Sequence, residues 1–354
     1  MPCFSDIGFL IKFNRCMKKN KANQDLFNLK SLLIIRLSSL GEILLTTPLL
    51  RSIKKQYPHL KISFLVKKQY EDALKLNPHI TELFLYEPQK EKLADVIQVL
   101  KKKKFDLVLD LQNNFRSKQI INVIDAETFK FDKRSVDKFL LVNFKINRLE
   151  DAPPIPERYA LTLPGLKLDR EGLELHTKNS ISLLLNEKEK LIGMAPGARH
   201  FTKRWPKEYF VYLGKLLLKA GYITVLFGGK DDIQLCGEIS RNIKDSINLC
   251  NSDELLQTAA DMKKCRAVVS NDSGLMHTAC AMKIPVLVFF GSTVKEFGFT
   301  PYNERNLILE NNSLTCRPCS HIGRERCPKG HFRCLLDISP EKAFEVLMTL
   351  VEKQ

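Results

Sequence analysis

Apolar residues in this chain come as short unbroken runs, and each run gives way to a small or polar turn that opens a stretch of helical spacing. LLIIRL (residues 32–37) is the first run. SSLGE follows it, and an apolar-periodic helix is predicted through ILLTTPLLRSIKKQY, ahead of a second strand, KISFLV (61–66). A helix near EKLADVIQVLKKKK and a strand FDLVLDL (105–111) continue this half. LIGMAP (191–196) begins the same plan again, with a loop GARHFTKRWP, a helix EYFVYLGKLLLKAG closed by Gly221, and the strand YITVLFGG. A helix over DELLQTAADMKKC, a strand AVVS, a turn NDSG and a strand PVLVFFG complete it.

Unbroken apolar strands alternating with helices predict parallel sheets covered on both faces. The expected fold class is therefore α/β, with two doubly wound Rossmann-like halves facing a central cleft. The stretch LEDAPPIPERYALTLPGLKL between them is rich in proline and charge and reads as a linker with one short helix. The expected division is a basic extension over 1–28, a first Rossmann-like domain over 29–170, a second over 171–338, and a C-terminal helix over 339–354. Ser339 caps that last helix and Pro340 opens it. In such a pair the carboxyl ends of the strands face the cleft, where ligands bind.

The candidate chemistry lies at those strand ends. Asn271-Asp272-Ser273-Gly274 turns from AVVS into a helix starting near Leu275, whose first amides have no internal partner and carry the positive end of its dipole. A phosphate fits there, with Gly274 allowing close approach; an ordinary Asx or Ser cap would use the same residues. Ser273 and His277 stand four apart on one helix, but a hydrolase reading lacks the G-x-S-x-G elbow and an acid on the far side of the histidine. After LIGMAP, Gly197 keeps the loop open and Arg199, Lys203 and Arg204 bring three cations beside a helix start, an arrangement suited to a diphosphate leaving group. Trp205 is expected to pack. In GGKDD (228–232) a carboxylate, Asp231, is placed to accept from ribose hydroxyls. In the first half, Gly41 bends the equivalent loop and Glu42 opens its helix. Glu42 reads either as a dipole-favoured acid or as a general base toward a substrate hydroxyl. Ser39 in the same loop, and Gln112, Asn113 and Arg116 at a second strand end, are placed for polar acceptor groups.

Charge narrows the partners. Lys and Arg number 56 against 40 Asp and Glu, a net +16, which favours a polyanion: nucleic acid, anionic lipid or a phosphorylated substrate. The runs KKKK (101–104) and KKNK (18–21) lack the interleaved aromatics of a single-strand groove and read as solvated helix ends. At 44% hydrophobic and 27% charged, without an apolar run near ~20 residues, the composition is that of a globular chain of two domains. FSDIGFLIKFNRCMKKNK has too short an apolar core for a signal sequence and reads as a basic amphipathic segment or a disordered start. A cytoplasmic protein is expected, with its ten cysteines as thiols or metal ligands.

Taken in order, RLSSLGE…TTPLL, DLQ…RS, MAPGAR…KRWP, FGG and NDSGLMHTACAM…PVLVFFGST resemble glycosyltransferase family 9, the lipopolysaccharide heptosyltransferases, from about Leu32 to the C-terminal helix. The resemblance implies a GT-B fold and inverting transfer of a heptose from ADP-heptose to the inner core on lipid A, with no metal at the diphosphate and no cofactor. It makes Lys203 a diphosphate contact, makes Asp272, Ser273, Gly274 and His277 the donor-binding turn beside Gly197 and Arg199, and places Asp231 near the ribose. The best-known heptosyltransferases carry Asp where Glu42 stands, so a base here requires the loop or the acceptor to adjust to one more methylene. Other readings are another nucleotide sugar, a non-catalytic binder of lipopolysaccharide or nucleotide sugar, and a nucleic-acid binder. An acceptor bearing carboxylates and phosphates in the cytoplasmic leaflet of the inner membrane gives the positive charge a partner, with peripheral docking of the chain and no nucleic acid.

CRPCSHIGRERCPKGHFRC sets Cys316, Cys319, Cys327 and Cys334 close together, a CxxC opening whose later spacing does not repeat the knuckle. Reduced thiols in a folded loop are expected, with structural zinc as the alternative. Cys236, Cys250, Cys265 and Cys280 read as small core residues.

Overall fold

A computed structural model describes residues 26–185, 190–252, 254–302 and 305–352. The basic extension predicted at the N-terminus lies outside the described residues but for its last three. The apolar runs become the strands of two parallel sheets. The first holds β1 (Ser31–Ile35), β2 (Lys61–Lys67), β3 (Glu82–Tyr86), β4 (Leu107–Asp110) and β5 (Glu127–Lys130), in the order β3-β2-β1-β4-β5. The second holds β6 (Leu191–Ala195), β7 (Ile223–Leu226), β8 (Ile247–Asn248), β9 (Ala267–Asn271), β10 (Val286–Phe290) and β11 (Asn306–Glu310), in the order β11-β10-β9-β6-β7-β8. In each sheet the first strand sits inside the order and the chain winds outward on both sides of it. Loops leaving the neighbouring strands diverge there and open a crevice.

The helix expected through ILLTTPLLRSIKKQY is two helices, α1 (Leu40–Leu44) and α2 (Thr47–Gln56). Pro48 has no N–H to continue the first and is tolerated at the start of the second. Thr46 and Thr47 donate their hydroxyls to the Ile43 and Leu44 carbonyls at 2.7 and 2.8 Å, satisfying the end of α1. The remaining helices are α3 (Leu93–Lys101), α4 (Phe115–Ile121), α5 (Ser135–Phe144), α6 (Ile155–Ala160), α7 (Lys207–Lys219), α8 (Ile233–Arg241), α9 (Leu255–Met262), α10 (Gly274–Ala281), α11 (Arg333–Leu336) and α12 (Pro340–Glu352). Among the described residues no helix is long and apolar enough to cross a membrane. Helix α12 buries Ala343, Leu347 and Leu350 in the core beneath α7, beside Trp205 and Phe210.

The connection between the halves is pinned at both ends. Arg51 on α2 is buried and grips Asp169 through Nε and Nη2 at 2.8 and 2.6 Å, Glu174 at 2.9 Å and the Gly172 carbonyl at 2.8 Å. Lys283, just past α10, donates to the Leu173 carbonyl at 2.6 Å. Such bidentate, desolvated pairing fixes geometry as well as charge.

Helix α1 from the first half packs directly on α10 from the second. The Gly41 backbone lies against the His277 ring, and a β-carbon at Gly274 would stand 3.0 Å from Leu40 Cδ2. Each helix thus supplies a glycine where the other supplies a bulky side chain. Gly41→Ala is expected to push the imidazole out of place and cost roughly 1–3 kcal/mol, as overpacking does. A thermal melt tests this, and a wild-type midpoint would show that the junction yields.

Candidate active site

In the second half, the two loops named from sequence are tied into one surface. Asn271 at the end of β9 accepts from the Trp205 amide at 3.0 Å and donates to the Pro196 carbonyl at 2.7 Å. Trp205 packs, as expected, with its ring stacked on Phe289 at 4.2 Å. That clamp brings Lys203 beside the start of α10, where its ammonium pairs with Asp272 at 2.7 Å. The same carboxylate oxygen accepts from Thr293 at 2.8 Å. Asp272 is buried, and Lys203 is 16% exposed at its side chain. A cation held this way, next to helix amides, needs only to release its carboxylate to meet an incoming diphosphate.

In the first half, Glu42 opens α1. Its Oε2 accepts from the Ser39 amide at 2.9 Å, and its Oε1 is ion-paired with the buried Arg36, which also donates to the Leu111 carbonyl at 2.6 Å. The longer Glu side chain lets one carboxylate serve both the helix start and the arginine. Gln112 Oε1 accepts from the Leu37 amide at 2.8 Å, and Asn113 Nδ2 donates to the Phe131 carbonyl at 2.9 Å. Both therefore build the loops around Glu42. Asp110, fully buried, anchors that turn by accepting from Asn113 N at 2.7 Å and Ser117 Oγ at 2.8 Å.

Around Glu42 stands a surplus of positive charge. Arg36, Lys133 and Lys138 act on one another and on Glu42. Burial lowers the Lys138 ammonium to about 8, with Arg158 adding to the effect. Lys138 Nζ sits 5.5 Å from the Phe299 ring centre and Arg158 5.3 Å from that of Phe131. Arg158 is 4% exposed, and its Nη1 has no hydrogen-bond partner. None of Lys133, Lys138 and Arg158 forms an ion pair among the described residues. A buried cation without a counter-ion is costly, and buried Arg158 with half-buried Lys133 and Lys138 leaves positive charge without an ion-pair partner in the folded chain. At the rim, burial lowers the Lys67 ammonium, and Arg116 and Arg199 add to the effect.

The site thus combines a carboxylate at a helix start, a cation–carboxylate pair at another, and cations without ion pairs, at the ends of two doubly wound sheets. Residues 93–329, more than half of the chain, match the family described as glycosyltransferase family 9 (heptosyltransferase). The chain belongs to glycosyltransferase family 9. The lipooligosaccharide heptosyltransferase 2 of Campylobacter jejuni (serotype O:6) is 26% identical over 318 residues, covering 88% of this chain and 96% of that protein. A family 9 glycosyl transferase from Veillonella parvula superposes with TM-score 0.74 at 24% identity, covering 92% of this chain and 98% of that one. The Escherichia coli ADP-heptose LPS heptosyltransferase II does so with TM-score 0.69 at 24% identity, covering 91% and 99%. The fold is GT-B, as the resemblance implied, and the chain is a glycosyltransferase.

Within this family 9 site, Glu42, Lys203, Asp272, Ser273, Gly274 and His277 come together, and Ser39 caps α1 beside them. Arg199 and Arg116 are exposed at the rim. Asp231 is exposed, while its neighbour Asp232 turns inward and occupies the space beside the Gly197 α-carbon. Sequence reasoning chose the first carboxylate of the pair, and nothing in KDD distinguished the two before the turn was folded. It also passed over Arg36, Thr293, Lys133, Lys138 and Arg158, which are scattered residues united only by the fold. The Ser273–His277 dyad of the hydrolase reading is absent: Ser273 Oγ has Ser270 Oγ at 3.5 Å, and His277 Nδ1 has no partner. Among the described residues no three His, Cys, Asp or Glu side chains converge to hold a metal. Cys316, Cys319, Cys327 and Cys334 are free thiols there, with Cys316 Sγ 3.8 Å from His331 Nε2. Cys236, Cys265 and Cys280 are buried, and Cys250 is half-buried.

Burial in the α1–α10 junction drives the His277 imidazole down to about 4, opposed by Asp272 and Glu42 and assisted by Lys203. The unfolded chain then binds the proton first as pH falls from 6.5 toward 4, so the stability from a neutral His277 is full above 6.5 and is lost below it. The loss amounts to roughly 3 kcal/mol for this shift. Denaturation from pH 7 to 4 should show this decline in the wild type and a flatter one in His277→Gln. Identical slopes would remove His277 as the cause.

Proposed function

We propose that this chain transfers a heptose from ADP-heptose, with inversion, to the inner core of lipopolysaccharide, on Kdo-lipid A or its heptosylated form. One observation carries the reading: in a family 9 chain, the helix that bears Glu42 and the helix that receives the Lys203–Asp272 pair are packed together across the cleft. Glu42 takes the proton from an acceptor hydroxyl, held in place by Arg36 and the Ser39 amide. The freed oxygen attacks the anomeric carbon from the face opposite ADP, and the bond from that carbon to the β-phosphate oxygen breaks. The electron pair leaves with ADP, whose new charge meets Lys203 and the first amides of α10. Lys203 exchanges Asp272 for the diphosphate, which frees the Asp272 carboxylate for sugar hydroxyls. The acceptor's carboxylates or phosphates occupy the pocket of Lys133, Lys138 and Arg158. The acceptor is lipid-linked, so the enzyme works in the cytoplasm with peripheral contact to the inner leaflet.

Purified protein with ADP-heptose and either Kdo-lipid A or its mono-heptosylated form should add the mass of one heptose to one of them. No gain on either, with ADP-heptose still bound, would make the chain a binder or assign another acceptor. Lack of donor binding would assign another nucleotide sugar.

Two further results are expected. Glu42→Gln should lower kcat by about 10²–10⁴ with ADP affinity unchanged, and Lys203→Ala by about 10²–10³; near-wild-type turnover of a folded variant removes that residue from its role. As pH rises through about 8, Lys138 loses its charge. The KM for the anionic acceptor should then climb while that for donor stays level, and Lys138→Arg should abolish the rise. A rise of the same size in the arginine variant would place the titrating group elsewhere.

A further inference from the structure

Helix α5 leaves apolar side chains on both of its faces. Its inner face carries Lys138, Leu141 and Val142, and Lys145 follows it as the C-cap. Leu141 is buried with Leu149 and Phe297, and Lys145 donates to the Pro318 carbonyl at 2.6 Å. The outer face should then be polar, as in an ordinary surface helix. It instead exposes Val136 (68%) and Phe139 (56%), and the chain continues through Phe144 (61%) and Ile146 (48%). The Phe139 and Phe144 rings touch edge to face at 5.9 Å, so these side chains form one patch.

Charge says what covers it. Of the six Lys and Arg over residues 130–148, Lys145 is engaged with the Pro318 carbonyl and Lys133 and Lys138 act on Glu42, which leaves Lys130 and Arg134 before the helix and Arg148 after it, against two Asp. A ten-residue helix is only about 15 Å long and 10 Å wide, so one face offers on the order of 150 Å². A stable dimer needs about 800 Å² from each partner. Aromatic and aliphatic side chains rimmed by cations, on a short helix, match the interface of an anionic bilayer. The opposite face of the helix reaches the cleft, since Lys138 lies over Phe299 and acts on Glu42.

We propose that the outer face of α5, with Val136, Phe139, Phe144 and Ile146 inserted among headgroups and the flanking cations on anionic lipid, is the surface by which the enzyme docks on a membrane and presents its cleft to a lipid-linked acceptor. The surface deepens the heptosyltransferase reading and rests on it for the acceptor, but not for the docking itself.

The test is sedimentation of the full chain with vesicles of phosphatidylcholine alone and of phosphatidylcholine mixed equally with phosphatidylglycerol. Wild type is expected to bind the mixed vesicles and to lose binding in high salt. V136D/F139D/F144D should partition more weakly by roughly tenfold or more, with V136S/F139S as a milder pair should the triple variant melt early. Leu183→Asp, at an exposed leucine on the segment whose Ser182 bonds to Asp261 of α9, should bind as wild type does. Failure of the wild type to bind mixed vesicles overturns the proposal, as does wild-type binding by a folded patch variant. So does a patch variant that retains vesicle binding and changes only its mass in sedimentation velocity, which would assign the face to a second copy. Transfer to a deacylated, water-soluble acceptor is expected to be equal in wild type and patch variants. If the wild type transfers nothing to it, the heptose reading falls, and the vesicle result still decides the docking.

Discussion

Everything at this site depends on how closely two helices approach across the gap between the sheets. Helix α1 can meet α10 only because Gly41 has no side chain beneath the His277 ring and Gly274 has none beneath Leu40. The contact sets the distance between the carboxylate on one turn and the cation–carboxylate pair on the other. It also explains the histidine. Sealed between the helices, the ring stays neutral and contributes shape, and any shift of Glu42 relative to the Asp272 turn would have to unpack it.

Two sets of buried cations show how pairing separates structure from function. Arg51 has a partner for each of its nitrogens and latches the inter-sheet connection to α2. Arg158 is buried and Lys133 and Lys138 are half-buried without ion pairs, and Arg158 keeps an unmatched Nη1. The first arrangement is complete in the folded chain. The second leaves positive charge unmatched, which costs stability. Glu42 is held by Arg36 and the Ser39 amide and also acts on Lys133 and Lys138.

Helix α5 joins these features. Its inner side supplies Lys138 to the cleft and binds the Cys316–Pro318 carbonyls through Lys145, while its outer side leaves apolar surface in water. One ten-residue element thus touches the chemistry, the second half of the molecule and the solvent boundary.

The parallel sheets were legible because strands buried on both faces need unbroken apolar runs, and LLIIRL, LIGMAP, AVVS and PVLVFFG are such runs. Strands β3, β5 and β11 escaped because partial burial mixes their composition, and the two-turn break at Thr46 was hidden because Pro48 is as compatible with a helix start as with a kink. The turns holding Glu42, Lys203 and Asp272 were legible too, since glycines and charges at strand ends follow from local backbone chemistry. What the sequence by itself determined was therefore everything local: the alternation, the two halves, the turns that face a cleft. Only the tertiary structure decided which of Asp231 and Asp232 turns inward, that Gln112 and Asn113 brace loops, that His277 is walled in, and that Lys133 and Lys138 act on Glu42. Those outcomes depend on contacts between residues far apart in the chain, and on burial, which no residue possesses until the fold supplies its neighbours.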